Sequence, residues 1–173
     1  MLKKKQIEVL KKFRDYVIKQ SRANLTRKKK SVSRNLYDSL EGKFHVSANS
    51  FSLQFLMEEY GTYQDKGVSG VEKKYDTPFK FTKKKPPIQP LADWAKARGM
   101  KLRDAEGKFK KGGIKSLGFA LSNHIFQHGI KPSLFFTKPF EAAFKRLPKD
   151  FIDAYGLDFE KFLDYSLEEV IKE

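Results

Sequence analysis

Apolar residues near the start of the chain recur at helical spacing. Lys and Arg fill the positions between them, so one face of the segment is apolar and the rest is charged. This period of three to four residues predicts an amphipathic helix over 4–24. The apolar positions are Ile7, Leu10, Phe13 and Val17.

A second, shorter helix is expected after a charged break in the chain. Its apolar positions are Leu36 and Leu40, and Gly42 marks its end. Ser31 and Ser33 are both candidate N-terminal caps, because a serine hydroxyl can accept a hydrogen bond from a free backbone N–H.

From residue 43 the pattern changes from helical to alternating. Apolar and more polar residues alternate over 43–48 and again over 51–57, with turn-forming residues at 48–50 between them. The alternation predicts a β-hairpin. A short helix or turn over 58–65 is expected to follow it.

The middle of the chain is rich in proline, glycine and lysine. Residues 67–90 are expected to form a long loop with one extended piece at 77–82. A helix is predicted to start just after Pro90 and to end near Gly99. Residues 100–113 are polar and glycine-rich, which predicts another exposed loop.

The last part of the chain returns to long apolar patterns. A helix capped by Ser116 is predicted to stop at Gly129, and 130–136 reads as an extended apolar strand. Thr137 is expected to cap the next helix, with Pro139 in its first turn. One or two acidic amphipathic helices are predicted to follow as far as Val170.

These elements predict a single α+β domain over 1–173. Its centre is a small antiparallel β-sheet packed against a long helix, and the 39% of hydrophobic residues suffice for a core. We expect three further parts: a basic N-terminal helix and charged break (1–34), a loop and helical insertion (71–130), and a strand plus C-terminal helices (131–173).

The formal net charge of +15 is unevenly spread along the chain. Residues 1–34 hold thirteen Lys and Arg against two acidic residues, whereas 149–173 hold three Lys against eight Asp and Glu. This polarity favours head-to-tail contact between copies, or contact with an acidic partner or nucleic acid. A solvated basic helix is the plainer interpretation.

Two features that the sequence lacks exclude some classes of protein. There is no cysteine, so disulfides and Cys-based zinc sites are excluded. No apolar run approaches the roughly 20 residues that span a bilayer, and no apolar signal core follows the first lysines. Neither a membrane partner nor secretion is expected.

Two distant segments, 59–67 and 132–144, carry a resemblance to a known family. The first matches the family's short helix with Tyr60, Tyr63 and Gly67. The second segment matches with Pro132, Phe136, Pro139, Phe140 and Ala143. In this order, behind a helix and a hairpin, the segments resemble the tail-completion or head–tail joining proteins of tailed bacteriophages.

The two signatures also show where this chain departs from the family. The family's second signature has proline before the phenylalanine and arginine after it, whereas Phe135 and Thr137 flank Phe136 here. The chain is similar to versions from phages of Bacteroidetes-type hosts, which carry an added segment between the signatures. Residues 71–130 would be that segment.

The resemblance implies a structural virion protein and not an enzyme. Such a protein forms or joins a ring in the phage neck through which DNA passes, and it is assembled in the host cytoplasm. Its implied partners are copies of itself, portal or adaptor proteins and tail-tube proteins. Catalytic residues, cofactors and metals are not expected.

Aromatic, proline and glycine residues of the two signatures, together with one tryptophan, are the candidate partner contacts. Tyr and Trp are favoured as interface anchors, and we expect Tyr60, Tyr63 and Trp94 to be partly exposed. The segment 134–136 and the face that contains Phe140 are also candidates for simple core packing. The candidate interface residues are Tyr60, Tyr63, Gly67, Trp94, Phe136, Pro139 and Phe140.

The alternative hypothesis is a small basic DNA-binding protein of a phage or mobile element. The candidate DNA contacts are Lys28, Lys29, Lys30 and Arg34. They would bind phosphates of double-stranded DNA without sequence preference, and they would lose affinity steeply with salt. A regulatory or antitoxin-like module is a third and weaker interpretation.

Other motifs point to chemistry less strongly. His124 and His128 stand four residues apart, but no Glu follows His124 as in a metalloprotease helix. The glycine- and lysine-rich stretch 107–113 lacks the Gly-Lys-Ser/Thr ending of a phosphate-binding loop. The carboxylates Asp65, Glu72, Asp76, Asp93 and Asp104 show no paired spacing for a divalent ion.

Overall fold

The computed structural model describes residues 4–27, 34–46, 51–104, 106–109 and 112–167. Within these ranges the chain is α+β, as predicted: eight helices accompany one two-stranded antiparallel sheet. The elements in order are α1 (Lys4–Arg27), α2 (Asn35–Ser39), β1 (Glu41–Val46), β2 (Phe51–Leu56), α3 (Tyr60–Lys66), α4 (Ile88–Ala97), α5 (Ile114–His128), α6 (Thr137–Phe144), α7 (Lys149–Tyr155) and α8 (Phe159–Ser166).

The chain divides into two compact units. The discontinuous unit comprises Met1–Asp65 and Leu134–Glu173, and the inserted unit comprises Lys66–Ser133. The inserted unit therefore starts and ends within a few residues of the segment 71–130 that the sequence suggested as an insertion. That residues 1–173 form a single domain stays a prediction.

The long predicted helix is α1, and its apolar stripe lies in the core of the discontinuous unit. Leu10 and Val17 are fully buried, and Phe13 is nearly so. The ring of Phe13 meets Phe140 edge-on with 5.0 Å between centroids, and it lies 5.6 Å from Phe162. The helical spacing of these residues thus brings α1 together with α6 and α8.

The predicted hairpin is confirmed, with its first strand shifted by two residues. Strands β1 and β2 pair from Glu41 opposite Leu56 to Val46 opposite Phe51. Leu53 and Phe55 are fully buried, as the alternating pattern of β2 requires. The predicted turn at 48–50 lies outside the described residues.

Gly42 does not end the second helix, contrary to the prediction. Helix α2 ends at Ser39, and Gly42 already lies in β1 opposite Phe55. A side chain at Gly42 would lie 2.5 Å from Cγ of Arg14, so the glycine lets α1 approach the strand closely. Both candidate caps, Ser31 and Ser33, lie outside the described residues.

The predicted strand over 130–136 is wrong. Ile130 makes a single antiparallel bridge to Val68, and Phe135 and Phe136 form a turn that leads into α6. Both phenylalanine rings are fully buried. Burial in the core, rather than strand pairing, accounts for the apolar run.

Helix boundaries in the inserted unit also differ from the prediction. Helix α4 starts at Ile88, so Pro90 lies inside its first turn, where a missing N–H does little harm. Gly113 is the N-cap of α5, and Ser116 lies within the helix. The predicted stop at Gly129 is confirmed, since its N–H donates to the carbonyl of Ile125.

A close contact between α4 and α5 organises the inserted unit. A side chain at Gly118 would lie 2.7 Å from the carbonyl oxygen of Ile88 and 2.8 Å from Cβ of Ala92. Ser122 adds a hydrogen bond of 2.6 Å from its hydroxyl to the carbonyl of Pro86. Small residues therefore hold the two helices together.

The last two helices, α7 and α8, agree with the predicted acidic amphipathic pair. Phe151, Phe162 and Leu163 are buried, whereas Asp153 and Asp164 are exposed. Helix α8 has a side-chain cap, because a carboxylate oxygen of Asp158 accepts a hydrogen bond from the N–H of Lys161. The second signature itself forms only the eight-residue helix α6.

Candidate functional site

Asp65 joins the two signature segments. It stands near the end of α3, is 2% exposed, and its Oδ1 accepts hydrogen bonds from the N–H of Phe136 at 2.8 Å and of Thr137 at 3.2 Å. Its Oδ2 accepts a further hydrogen bond from the hydroxyl of Thr137. Segments more than seventy residues apart in sequence thus meet at one buried carboxylate.

The cap of α6 differs from the predicted one. Thr137 was expected to cap the helix with its own side chain, but it is the first helical residue, and Phe136 in the N-cap position has no side-chain cap. The carboxylate of Asp65 takes the first N–H groups of α6 instead. A negative charge at this end also complements the helix dipole.

Helix α3 has a buried face and an exposed face. Gly61, Thr62 and Asp65 are buried, and a side chain at Gly61 would clash with Leu36 and Met57. Tyr60 and Tyr63 are 42% and 38% exposed, as expected. Residues three apart on a helix share a face, so these side chains form one surface feature, the tyrosine pair.

The short helix or turn predicted over 58–65 is α3, and Gly67 follows it directly. Its φ of 77° lies in the left-handed region that favours glycine. A side chain here would also lie 2.6 Å from the carbonyl oxygen of Ile130 and 2.6 Å from Cδ of Pro132. Gly67 is therefore required by the backbone, and it has no side chain to offer a partner.

Three of the candidate interface residues lie in the core. Phe136 and Phe140 are fully buried, and Pro139 is buried beside them. The ring of Phe136 meets Phe55 of the hairpin with 5.1 Å between centroids. These residues hold the discontinuous unit together, so the tyrosine pair and Trp94 are the candidates whose side chains reach the surface.

Trp94 belongs to the inserted unit and is 40% exposed on α4. The guanidinium of Arg98 lies 4.9 Å from the centroid of its ring. An exposed indole beside a cation is a common element of binding surfaces.

The basic residues predicted to contact DNA are only partly within the described residues. Lys28, Lys29 and Lys30 lie outside them. Arg34 is exposed, and its guanidinium packs over the ring of Tyr37 at 4.9 Å and lies 3.9 Å from a carboxylate oxygen of Asp38.

Other cations of the N-terminal region have structural contacts. Arg22 donates to the carbonyl oxygens of Tyr37 and Leu40 at the end of α2, at 3.1 and 3.0 Å. Lys12 pairs with Glu8, which lowers the pKa of that carboxyl through a hydrogen bond and charge attraction. Arg22 and Lys12 therefore have contacts within the unit, whereas Lys11 and Lys19 of α1 are exposed.

The weaker chemical motifs find little support from geometry. The rings of His124 and His128 stack with 4.4 Å between centroids. Across the described ranges, no three or more His, Asp and Glu side chains are grouped so that they could hold a metal ion. In the same ranges, no helix combines the length and apolar character that a bilayer crossing requires.

Sequence reasoning missed the role of Asp65, which it grouped with scattered carboxylates. Its position in the first signature was the only available signal, because its partners lie far away in the sequence. No protein-family model, curated protein or solved structure matches the chain.

Proposed function

We propose that the chain is a structural virion protein of the head–tail connector or tail-completion type. The observation that carries the proposal is the set of hydrogen bonds from Phe136 and Thr137 to the carboxylate of Asp65, which we call the Asp65 junction. If 59–67 and 132–144 are two parts of one family signature, they should lie together in the fold, and one buried carboxylate connects them. The role in the phage neck comes from the resemblance. The junction supports it by showing that the two segments are in contact in the fold.

Opposite charges on the surface of the discontinuous unit support assembly into a ring. Lys11 and Lys19 of α1 are exposed, as are Glu160 and Asp164 of α8. A contact between unlike surfaces of neighbouring copies closes into a ring when its rotation allows. Attraction between a basic and an acidic helix would favour such a contact.

The tyrosine pair is the proposed docking point for a neck partner. Tyrosine combines a large apolar ring with a polar tip, and such residues dominate interface energies when a partner covers them. Both side chains stand outward from a helix that the Asp65 junction anchors in the core.

Complementation of a phage that lacks this gene tests the proposal. The variant Tyr60→Ala/Tyr63→Ala is expected to leave separate heads and tails, although the protein folds. The matched control is Phe119→Ala, which removes an aromatic side chain that is 54% exposed on α5, outside both proposed contact surfaces. Joined, infectious particles with the double variant would contradict a docking role for the pair, and joined particles without any gene product would contradict the function.

The alternative function, DNA binding, is favoured by a separate observation. The inserted unit holds sixteen Lys and Arg against five Asp and Glu. In this hypothesis DNA contact is the main task, and no neck ring is needed.

A further inference from the structure

Positive charge is concentrated in the inserted unit. With sixteen Lys and Arg against five acidic residues in 66–133, it accounts for most of the excess, whereas the rest of the chain has twenty against sixteen. Every Lys and Arg of this unit in the described ranges is exposed, except Lys66, which is half-buried. The sequence had drawn attention to the N-terminal region instead.

Three of the five acidic side chains of this unit have local contacts. Asp104 accepts a hydrogen bond of 2.8 Å from the N–H of Lys108, and Asp93 accepts one of 3.0 Å from the amide of Gln89. Glu72 lies 3.9 Å from Nε2 of His128. These carboxylates keep their negative charge, but the sixteen Lys and Arg of the unit outnumber its five acidic residues.

A short hairpin carries part of the charge, with three cations and two carboxylates. We call residues 101–104 and 106–109 the basic hairpin. Arg103 and Phe109 form an antiparallel bridge, and the N–H of Asp104 donates to the carbonyl of Lys108 at 2.9 Å. The guanidinium of Arg103 donates to the carbonyl of Gly107 at 2.8 Å, which fixes the arginine against the turn.

An exposed phenylalanine organises the cations of the basic hairpin. Phe109 is 64% exposed, which is unusual for a phenylalanine. The guanidinium of Arg103 lies 4.3 Å from the centroid of its ring, and the ammonium of Lys101 lies 5.5 Å from it. One ring therefore places two cations before any partner arrives.

The same combination recurs close by in the sequence, where Arg98 packs over Trp94. Arginine forks match the geometry of phosphate oxygens, and a cation already placed by an aromatic ring loses less freedom on binding. Phosphates are closely spaced along double-stranded DNA, so several fixed cations can each meet one. The carboxylates on a protein surface are more scattered and would match these cations less well.

We propose that the basic hairpin, with the Arg98–Trp94 pair that precedes it in the chain, binds the phosphate backbone of double-stranded DNA without sequence preference. This goes beyond the proposed neck role and does not depend on ring assembly. It also moves the DNA contact from the N-terminal lysines to the inserted unit. Since phosphate contacts release counterions, the affinity falls steeply as salt rises.

Fluorescence anisotropy of the purified full chain with a labelled DNA duplex, measured over about 50 to 200 mM salt, tests this proposal. The variant Lys101→Ala/Arg103→Ala/Lys108→Ala is expected to reduce the slope of log affinity against log salt by roughly 1 for each lost phosphate contact. The control Lys11→Ala/Lys19→Ala/Lys43→Ala removes the same charge from exposed positions of the discontinuous unit. Its slope should stay close to that of the unchanged protein.

A variant that leaves the net charge unchanged tests whether the positions of the cations matter for DNA affinity. Phe109→Ala keeps every cation but removes the ring beneath Arg103 and Lys101, and we expect about two- to fivefold weaker binding. Far-UV circular dichroism should show all variants folded, because the changed side chains are exposed. Three results would overturn the proposal. The first is an equal loss of DNA affinity in both triple variants, and the second is no DNA binding by the unchanged protein at low salt. The third is that polyglutamate competes for the protein as well as unlabelled DNA does. Since the assay needs no phage particles, its failure would leave the neck function open, and failed complementation would leave this proposal open.

Discussion

At the scale of single residues, Asp65 is the position on which the candidate site depends most. A buried carboxylate is costly unless it is hydrogen-bonded, and here two N–H groups and a hydroxyl satisfy it. The same contacts satisfy the start of α6, which has no side-chain cap of its own. The same hydrogen bonds therefore satisfy both the buried carboxylate and the first N–H groups of α6.

Replacing Asp65 with alanine should destabilise the discontinuous unit strongly. The N–H groups of Phe136 and Thr137 would lose their charged acceptor, and we expect a loss of roughly 2–4 kcal/mol in the free energy of unfolding. Urea unfolding followed by far-UV circular dichroism measures it. Asp65→Asn keeps an acceptor oxygen and should lose less.

Asp153→Ala is the matched control for this prediction. Asp153 is exposed on α7, so its replacement should change the free energy of unfolding by less than about 0.5 kcal/mol. An Asp65→Ala protein as stable as this control would show that the junction contributes little.

Gly67 and Gly99 form a pair that separates backbone strain from steric clash. Both have positive φ, 77° and 63°, but a side chain at Gly99 meets nothing within 4 Å. Gly99→Ala should therefore lose about 1 kcal/mol from strain alone, and Gly67→Ala roughly 2–4 kcal/mol because the added methyl also meets Ile130 and Pro132.

The single tryptophan, Trp94, lies in the inserted unit with both glycines, so its fluorescence during urea unfolding reports the two losses. Equal losses for the two variants would contradict the close approach of Gly67 to Ile130.

At the scale of elements, α6 connects the second signature to the core. Phe140 contacts Phe13 of α1, Phe55 of β2 and Phe162 of α8, with 5.0 to 6.0 Å between ring centroids. It is fully buried, so it acts as the centre of an aromatic cluster rather than as a surface contact.

Phe140→Ala should therefore reduce the free energy of unfolding by about 3–5 kcal/mol, because it leaves a large cavity among the surrounding rings. Phe119→Ala is the control, since Phe119 is 54% exposed on α5 and should contribute less than about 0.5 kcal/mol. Chemical denaturation measures both. A loss at Phe140 as small as at Phe119 would contradict its central position.

Elements with a strong period could be predicted from the sequence, and those set by distant contacts could not. The stripe of Leu10, Phe13 and Val17 is a local signal, and so is the alternation around Leu53 and Phe55. The run through Phe135 and Phe136 looks like a strand, because a short apolar segment gives no period to distinguish pairing from burial. Ser116 suggested a cap, but helix starts are weakly specified by one residue.

The candidate site was predictable in part for the same reason. The exposure of Tyr60, Tyr63 and Trp94 follows from the amphipathic pattern of short helices. The bond from Asp65 to Phe136 links residues whose distance in sequence hides any local signal. Likewise, the stacking of Arg103 on Phe109 depends on a turn that the sequence showed only as a glycine-rich loop.

At the scale of the whole molecule, the ends of the inserted unit lie close together. In the discontinuous unit, the N–H of Leu134 donates to the carbonyl of Asp65 at 3.0 Å, so the chain leaves and returns at one point. Within the inserted unit, Val68 and Ile130 exchange two backbone hydrogen bonds. In each unit, backbone hydrogen bonds therefore hold the two chain segments together where they enter and leave the insertion.

Replacing 66–133 with a short glycine-serine linker should therefore leave the discontinuous unit folded. A few flexible residues span the gap between Asp65 and Leu134 easily. Far-UV circular dichroism and a cooperative urea transition are the measurements. A chain without a cooperative transition would show that the discontinuous unit needs the insertion in order to fold.

The central claim is that this chain joins the head and tail of a virion, and electron cryo-microscopy of particles carrying it tests that claim most directly. The account predicts density for the fold as a ring between portal and tail, with the tyrosine pair against a neighbouring protein and the inserted unit directed toward DNA. Particles with a complete neck from which this chain is absent would contradict the claim.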